Sequence, residues 1–426
     1  MSKIKYKKTI ITFISLITLA TSAIAGAYYG YTKYNAKNND NPGKNKDVSL
    51  FEDQTIFVRK PFITKFNLAN TNKTITTIFN HLDSPGQTTR KDFIEPKPAG
   101  NLADSDNKLS NLDNQGAQEV SEFLALKDVL LSQSDNSDLV IYGGDTNIKN
   151  ENYFLARKFV ENNLESTLST NFNPTNKKLY GERFLTSLGT KGNYANQYDK
   201  MFFINNDKTF FNPIVINQTN STKEFKIDIY KTFRDFVAKN DLKTKPGWDS
   251  KYNQMPDNKV IRALVSDHAP VYTDIKLINH MLSSNLVNKQ VKLNLTKDIN
   301  TLRLGHWNIL NYGGNEAKAY AIANIIAKSG MDLIGLTEIN DNDDSTNLQN
   351  LNLIVNYLNQ LTNSNKWKVA IQKQVDTNIP NDLLATNQFG KAQIEQVAVI
   401  YDSSLFNLVD STTYNEPIEY FKQKIS

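Results

Sequence analysis

The chain contains no cysteine, and it has only four histidines and three tryptophans among its 426 residues. The absence of cysteine excludes disulfide bonds and a lipid-modified cysteine, so stability must come from the core and from any bound metal. Because histidines are so few, each one that lies beside acidic residues is a candidate for proton transfer. The length suits one large domain or two to three ordinary ones.

The body of the chain also lacks an excess of positive charge. The formal net charge is +5, but eight of the 49 basic residues and one of the 44 acidic residues fall in residues 1–46. The other 41 basic and 43 acidic residues give the rest of the chain a net charge of −2. The composition therefore gives no electrostatic support for nucleic-acid binding.

The N-terminal segment differs from the rest. Residues 1–8 carry four lysines, residues 9–32 form an uncharged run, and residues 33–47 form a polar tether. The run is long enough to cross a bilayer, and the lysines before it would remain in the cytoplasm. Ala23 and Ala25 match a signal-peptide cleavage site, so secretion is the alternative. We predict a cell-membrane protein with a single N-terminal span and its main domain outside the cell.

Hydrophobic patterns predict a mixed α/β fold. Helical periodicity predicts helices at residues 117–133 and 317–328. Short apolar runs predict buried strands at residues 76–80, 139–142, 332–336 and 397–401. Because each predicted strand ends near a polar residue, we expect a two-layer β-sandwich, flanked by helices, whose loops build one cleft.

The sequence Gly-Gly-Asp-Thr-Asn at residues 143–147 follows one of these strands. Asp145 and Asn147 can both face a cleft, where the carboxylate would bind a hard cation and the amide a phosphoryl oxygen. An ordinary Gly-Asp turn is the alternative. The sequence Asp267-His268 places a carboxylate beside an imidazole, which suits metal binding and acid or base catalysis. A surface histidine is the alternative there.

Other polar residues lie near predicted strand ends. Glu338 follows the strand at residues 332–336 and is a candidate metal ligand, with Asn308 as a nearby orienting amide. Arg59, before Pro61, suits bidentate contact with a phosphate, and His81 ends another strand. Glu395 and Asp199 read by default as surface carboxylates, unless each orients a histidine.

Taken together, these motifs resemble the endonuclease/exonuclease/phosphatase superfamily, which has the deoxyribonuclease-I-like fold. The family begins with the motifs that occur here in residues 301–426 and ends with those in residues 51–275. The resemblance therefore implies a circular permutation. Residues 48–282 would form the C-terminal half of the fold, residues 283–300 a linker, and residues 301–426 the N-terminal half. A dimer of complementing chains and a rearranged, poorly folding product are the alternatives.

The resemblance implies a role for each candidate residue. The implied metal ligands are Glu338, Asn308, Asp267 and Asp145. The implied phosphate contacts are Arg59 and Asn147. The implied catalytic residues are His81, His268, Asp145, Asn147, Asp199 and Glu395. His81 with Glu395 and His268 with Asp199 would form two acid/base pairs, one activating water and one protonating the leaving oxygen. Mg²⁺ is the first choice of metal, with Ca²⁺ or Mn²⁺ as alternatives.

The implied activity is that of a membrane-tethered, extracellular nuclease. It would hydrolyse DNA, with RNA as a further substrate, to 5′-phosphate products for nucleotide scavenging. Within the superfamily the motifs F-x-R-K-P-F, H-L-D-S-P-G and G-D-T-N-I are most similar to the membrane nucleases of mycoplasmas. The alternatives are a phosphodiesterase for lipid or sugar phosphates, similar to sphingomyelinase, and a non-catalytic surface binding protein. Endonuclease or exonuclease action and the oligomeric state stay open.

Overall fold

Two β-sheets, each of six strands, form the centre of the part of the chain that the structure describes. The computed structural model describes residues 57–84, 117–156, 159, 164–168, 184–216, 225–236, 239–280, 282, 297–384 and 389–415. The sheets pack face to face through a shared apolar core, and helices cover their outer faces. This arrangement confirms the predicted mixed α/β class and the two-layer sandwich flanked by helices.

The strands are β1 (Phe62–Leu68), β2 (Thr74–His81), β3 (Leu139–Asp145), β4 (Glu165–Ser166), β5 (Asp199–Asn205), β6 (Phe211–Pro213), β7 (Val271–Leu277), β8 (Thr301–Tyr312), β9 (Leu333–Asn340), β10 (Trp367–Ile371), β11 (Glu395–Asp402) and β12 (Phe406–Thr413). Strands β1–β5 and β12 form the first sheet and strands β6–β11 form the second, and each sheet contains one parallel pair. The first sheet has the order β12-β1-β2-β3-β5-β4 and the second β10-β11-β9-β8-β7-β6. β2 with β3 and β8 with β9 are parallel, so each pair brings its carboxyl ends to one edge.

Helices pack against the outer faces of both sheets. They are α1 (Ala117–Ser134), α2 (Ile229–Phe236), α3 (Lys239–Lys243), α4 (Asp257–Leu264), α5 (Glu316–Ser329), α6 (Asp344–Leu361) and α7 (Asn381–Leu384), with short 3₁₀ helices at Asn150–Ala156, Ser250–Asn253, Gln374–Thr377 and Lys391–Gln393. The Asn315 side chain caps α5 by accepting from the Lys318 N–H, and Gly330 ends it at a φ of 66°. Such caps define the ends of α5 because they pair backbone groups that the helix itself leaves unpaired.

Alternation along β8 carries polar side chains into the gap between the sheets. Leu302 and Leu304 lie in the core shared by the two sheets, whereas Trp307 and Ile309 belong to the core under the helices. Because successive strand residues face opposite sides, His306 lies on the same face as the two leucines. Its side chain is fully buried and stacks on Phe79 of the first sheet. β8 therefore contributes apolar residues at its start and polar residues near its end to the same gap.

Gly143 in β3 leaves room for His306 of the second sheet to pack against the first sheet. A Cβ atom at residue 143 would lie 2.7 Å from His306 Cβ and 3.0 Å from Phe79 Cε1. Real Cβ atoms do not approach that closely in a filled interior, so a side chain here would push the sheets apart. The first glycine of the Gly-Gly-Asp motif is therefore explained by packing between the sheets.

The Gly143→Ala substitution is expected to lower the free energy of unfolding by about 1–3 kcal/mol, the usual cost of overfilling a core. Urea unfolding followed by tryptophan fluorescence measures the change. Gly390→Ala is a matched control, because no atom lies within 4 Å of the Cβ added there. The backbone φ of −156° at Gly390 also suits any residue. Equal unfolding midpoints for the two variants would contradict the packing explanation.

The predicted helices and strands all occur, but most extend beyond their predicted ends. The strand predicted at residues 332–336 runs as Leu333–Asn340, and that at 139–142 runs as Leu139–Asp145. The apolar runs end earlier because the backbone hydrogen bonds continue past the last buried apolar side chain. The division into residues 48–282, 283–300 and 301–426, and the permuted order, remain predictions.

The predicted localisation at the cell membrane was wrong. Within the described ranges, no helix combines the length and the apolar character needed to cross a membrane. Residues 1–56, which include the segment at 9–32 assigned to the anchor or signal, lie outside the described residues.

Candidate active site

Polar residues from the two parallel strand pairs meet at one edge of the sandwich. His81 and Asp145 end β2 and β3, and Asn308 and Glu338 lie near the ends of β8 and β9. Asn308 Nδ2 donates to Asp145 Oδ2 at 3.0 Å and to Glu338 Oε1 at 2.7 Å. One amide thus joins a carboxylate from each sheet. Residues from the two sequence segments at 48–282 and 301–426 therefore meet in one site.

Unusual backbone conformations cluster at this site. Asn147, Leu310, Asn311 and Glu338 have φ values of 53°, 52°, 50° and 60°, in the left-handed region that L-residues rarely adopt. Glu338 Oε2 accepts from the Asn311 N–H at 3.1 Å, so two of these residues hold each other in place. Such conformations cost about 1–3 kcal/mol each and persist where the surroundings enforce them, often at functional sites.

His81 and Glu395, the first of the two predicted acid/base pairs, lie in contact. His81 Nδ1 lies 3.0 Å and 3.2 Å from the two carboxylate oxygens of Glu395, and Asn147 Nδ2 lies 3.2 Å from His81 Nε2. Burial and Arg59 oppose protonation, but the carboxylates of Glu395 and Asp145 raise the pKa of His81 above its ordinary value. Burial likewise opposes ionisation of Glu395, yet His81 and Arg59 lower its pKa. Both shifts favour an ionised Glu395 carboxylate that accepts a hydrogen bond from a protonated His81 Nδ1.

His268 and Asp199, the second predicted pair, also lie in contact. His268 Nδ1 lies 2.7 Å from Asp199 Oδ2, and its Nε2 lies 3.4 Å from Asp145 Oδ2. Burial favours the neutral ring, but Asp199 and Asp145 raise the pKa of His268 well above its ordinary value. Burial would raise the pKa of Asp199, whereas His268 and His306 lower it. His268 is thus held as an imidazolium between two carboxylates, the environment of a proton donor.

Arg59 lies beside the first pair, with its guanidinium turned towards main-chain oxygens. Nε donates to His81 O at 2.8 Å, and a terminal nitrogen donates to Leu82 O at 2.6 Å. Nε also lies 3.6 Å from Glu395 Oε1. These contacts hold the His81 backbone against Glu395. The contact of Arg59 with a substrate phosphate remains a prediction.

Asp267 lies next to His268 in the chain but contacts Arg262 and Leu188. Its Oδ2 lies 3.1 Å from a terminal nitrogen of Arg262, and its main-chain oxygen accepts from the Leu188 N–H at 2.6 Å. The Asp267 charge nevertheless contributes to raising the pKa of His268. The geometry places Asp267 near the site, and its role as a metal ligand remains a prediction.

Glu122 of α1 supports the loop that carries Arg59 and the loop that follows His81. Its two carboxylate oxygens accept from the Val58 N–H and the Asp83 N–H, each at 2.7 Å. Burial, together with the nearby Asp83 carboxylate, raises the pKa of Glu122 from 4.5 to about 7. A buried acid therefore links the helix on the outer face to two site loops.

The raised pKa of Glu122 predicts a pH-dependent stability. Between pH 4.5 and about 7 the folded protein keeps a proton that the unfolded chain has lost, so stability falls as pH rises through this window. The wild-type unfolding free energy, relative to that of Glu122→Gln, is expected to fall by on the order of 2 kcal/mol across it. Urea unfolding of both proteins at a series of pH values tests this. Parallel stability curves would contradict the prediction.

Sequence reasoning missed several buried residues that hold the site. Lys200 donates to Ile148 O at 2.8 Å, behind the Asp145 to Asn147 loop, and burial lowers its pKa to about 7. Lys318 donates to Leu310 O, and burial lowers its pKa to about 8. Both lysines read from sequence as surface charges because nothing local signals their burial. His306 was also missed, although it is one of only four histidines.

The donor set fits a divalent metal ion. Ligating atoms of Asp145, Asp199 and His268 all lie within 4.8 Å of one another and could hold a metal. Asp199 Oδ2 is already bonded to His268, whereas Asp145 and Glu338, from different sheets, meet at the Asn308 amide. Carboxylates that converge in this way offer the oxygen ligands preferred by a hard cation such as Mg²⁺, Mn²⁺ or Ca²⁺.

Comparison with known proteins identifies no family for this chain. No family model matches the sequence, and no curated protein matches it either. Among solved structures the chain is similar to the crystal structure of humanized D. rerio TDP2 with 14 mutations, at 13% sequence identity and a TM-score of 0.19. The match covers 34% of this chain and 45% of that one. The likeness is too partial to assign an activity, and the kinship with mycoplasma nucleases remains a prediction.

Proposed function

We propose that the protein is a metal-dependent phosphodiesterase that acts as a nuclease on DNA, with RNA as a further substrate. The observation that carries this proposal is the different setting of the two histidines around Asp145. His81 Nε2 has the Asn147 amide at 3.2 Å and Asp145 Oδ2 at 3.6 Å, whereas the neighbour of His268 Nε2 is that same Asp145 oxygen at 3.4 Å. The amide donor favours a lone pair on His81 Nε2, and the carboxylate favours a proton on His268 Nε2. One imidazole is therefore arranged as a base and the other as an acid.

Hydrolysis of a phosphodiester needs both functions. His81, oriented by Glu395, takes a proton from the attacking water at Nε2 as the new bond to phosphorus forms. His268, oriented by Asp199, gives its Nε2 proton to the oxygen of the P–O bond that breaks. Cleavage of the bond to the 3′ oxygen leaves a 5′-phosphate end. The two transfers balance, since one proton enters His81 and one leaves His268.

The residues that would hold the metal are Asp145 and Glu338, with Asn308 between them and Asp267 nearby. A bound Mg²⁺ would supply charge stabilisation for the phosphoryl oxygens. The side chain of Asn147 would contact a phosphoryl oxygen beside His81. Arg59 would hold a neighbouring phosphate of a polymeric substrate.

The proposal includes a single chain with a permuted motif order. β12 and β1, the last and first described strands, are antiparallel neighbours in the first sheet. β7 and β8, which flank residues 283–300, are antiparallel neighbours in the second sheet. Both observations support a permuted order. The last described strand, β12, pairs with the first, β1, and a linker at residues 283–300 joins the neighbouring strands β7 and β8. A dimer of complementing chains would instead be active only as a dimer.

The test is the release of acid-soluble nucleotides from double-stranded DNA by the purified protein. Assays contain Mg²⁺, Ca²⁺ or EDTA, and size-exclusion chromatography gives the oligomeric state of the active fraction. RNA and sphingomyelin vesicles are assayed in parallel. DNA cleavage by a monomer, abolished by EDTA, is the expected result. Hydrolysis of sphingomyelin without DNA cleavage would favour a lipid phosphodiesterase, and a folded protein inactive on all three substrates would contradict the proposal.

A further inference from the structure

His306 has a buried contact that the proposed reaction does not use. Its imidazole is fully buried in β8, two residues before Asn308. Nε2 lies 3.2 Å from Thr337 Oγ1, and Nδ1 lies 3.5 Å from Asp199 Oδ1. Within the described ranges, neither His306 Nδ1 nor Asp199 Oδ1 has a hydrogen-bond partner. A potential donor and a carboxylate oxygen thus face each other at the edge of hydrogen-bond distance.

The surroundings fix the position of this ring. Phe79 stacks on it with ring centroids 6.3 Å apart and an interplanar angle of 19°. Gly143 lacks the side chain that would collide with the His306 Cβ atom. A polar ring buried among such neighbours costs free energy unless its nitrogens are bonded, and an apolar residue would pack here without that cost. A histidine at this position is therefore explained by hydrogen bonds to its ring nitrogens.

The Thr337 hydroxyl can either donate to His306 Nε2 or accept from it, whereas the Asp199 carboxylate oxygen can only accept from Nδ1. If the threonine hydroxyl donates to Nε2, the neutral ring keeps its proton on Nδ1, opposite Asp199. The other carboxylate oxygen of Asp199 is already bonded to His268 Nδ1 at 2.7 Å. A small closure of the 3.5 Å gap would give Asp199 one imidazole on each oxygen.

We propose that His306 is a positioning residue that donates Nδ1–H to Asp199 Oδ1 and thereby orients the carboxylate that holds His268. This inference rests on the proposed function, in which His268 protonates the leaving oxygen. Asp199 cannot rotate away from His268 while both of its oxygens are bonded. The line from Thr337 through His306 and Asp199 to His268 is then a chain of hydrogen bonds that ends at the reacting proton.

Two substitutions of similar size separate the hydrogen bond from packing. Asn at residue 306 can place an amide N–H near the site of imidazole Nδ1, whereas Leu has the same branching and no donor. His306→Leu is expected to lower kcat for DNA hydrolysis by about 10-fold to 100-fold, the range seen when a group that orients an active-site residue is lost. KM is expected to stay within about 2-fold, and His306→Asn to recover most of the wild-type kcat. Equal kcat values for the two variants, or an unchanged kcat in His306→Leu, would overturn the proposal.

A spectroscopic measurement on the wild-type protein tests the contact without substrate and without a variant that has to fold. With ¹⁵N-labelled histidine, the His306 signals are expected to report a protonated Nδ1 and an unprotonated Nε2. The opposite tautomer would overturn the proposal. Failure of the proposed function is distinguishable, because it would appear as a wild-type protein that has the expected His306 tautomer but hydrolyses no phosphodiester.

Discussion

His268→Ala is expected to lower kcat for DNA hydrolysis by about 10³-fold, within the range for the loss of a general acid. The ring lies between Asp199 and Asp145, at 2.7 Å and 3.4 Å, and these carboxylates hold its proton at neutral pH. Without that proton the 3′ oxygen must leave as an alkoxide. KM should change little, since the loss falls on the transition state rather than on binding. Steady-state kinetics on a defined oligonucleotide measure both constants.

The leaving group distinguishes an acid from a residue that only supports the fold. Bis(p-nitrophenyl) phosphate releases a stable phenolate that needs no proton, so His268→Ala should lose far less activity on it than on DNA. His81→Ala, which removes the proposed base, should lose activity on both substrates alike. His280→Ala is the control, because His280 contacts Phe210 and lies outside the site. Equal losses of His268→Ala on the two substrates would argue against its role as the acid.

The residues that the sequence singled out were recognisable because strand ends and motif spacing are local properties. Asp145 ends an apolar strand, and Glu338 follows another, so periodicity alone placed both at the edge of a sheet. Their meeting through Asn308 depended on how the two sheets pack, which no local pattern contains. The resemblance to a known motif set supplied that long-range information.

Burial and backbone strain could not be predicted. Lys200 and Glu122 are charged residues that sequence statistics place at the surface, yet both are buried supports of site loops. The positive φ of Glu338 interrupts a strand that its composition does not mark for interruption. Such features arise when tertiary packing overrides local preference, and they are expected to gather at functional sites.

Arg59 illustrates a different limit. Its position before Pro61 suggested a free guanidinium for a phosphate, but in the structure two of its donors bond the carbonyls of His81 and Leu82. The sequence marked Arg59 as a site residue, but it could not predict in which direction the side chain points. A side chain of five donors can support a loop and still meet a ligand, so only the loop contact follows from the structure.

Glu338→Gln is expected to weaken metal binding and to lower kcat/KM by about 10³-fold at low Mg²⁺ concentration, since a ligand charge is lost while the side-chain shape is kept. Glu338 accepts from Asn308 Nδ2 at 2.7 Å and from the Asn311 N–H at 3.1 Å. Glutamine has only one acceptor for these two donors, so one contact is lost together with the negative charge. Because the defect is mainly one of affinity, activity should rise again as Mg²⁺ is increased.

Metal binding can be measured separately from catalysis. Free Mn²⁺ followed by electron paramagnetic resonance gives the affinity of each protein, and Glu338→Gln should bind much more weakly than the wild type. His268→Ala should bind Mn²⁺ nearly as the wild type does while being slow in catalysis. Glu338→Gln thus loses metal affinity, whereas His268→Ala loses catalytic rate. Glu316→Gln, at the start of α5, is a matched control that should change neither quantity. Wild-type affinity in Glu338→Gln would place the metal elsewhere, with the Asp145, Asp199 and His268 cluster as the remaining candidate.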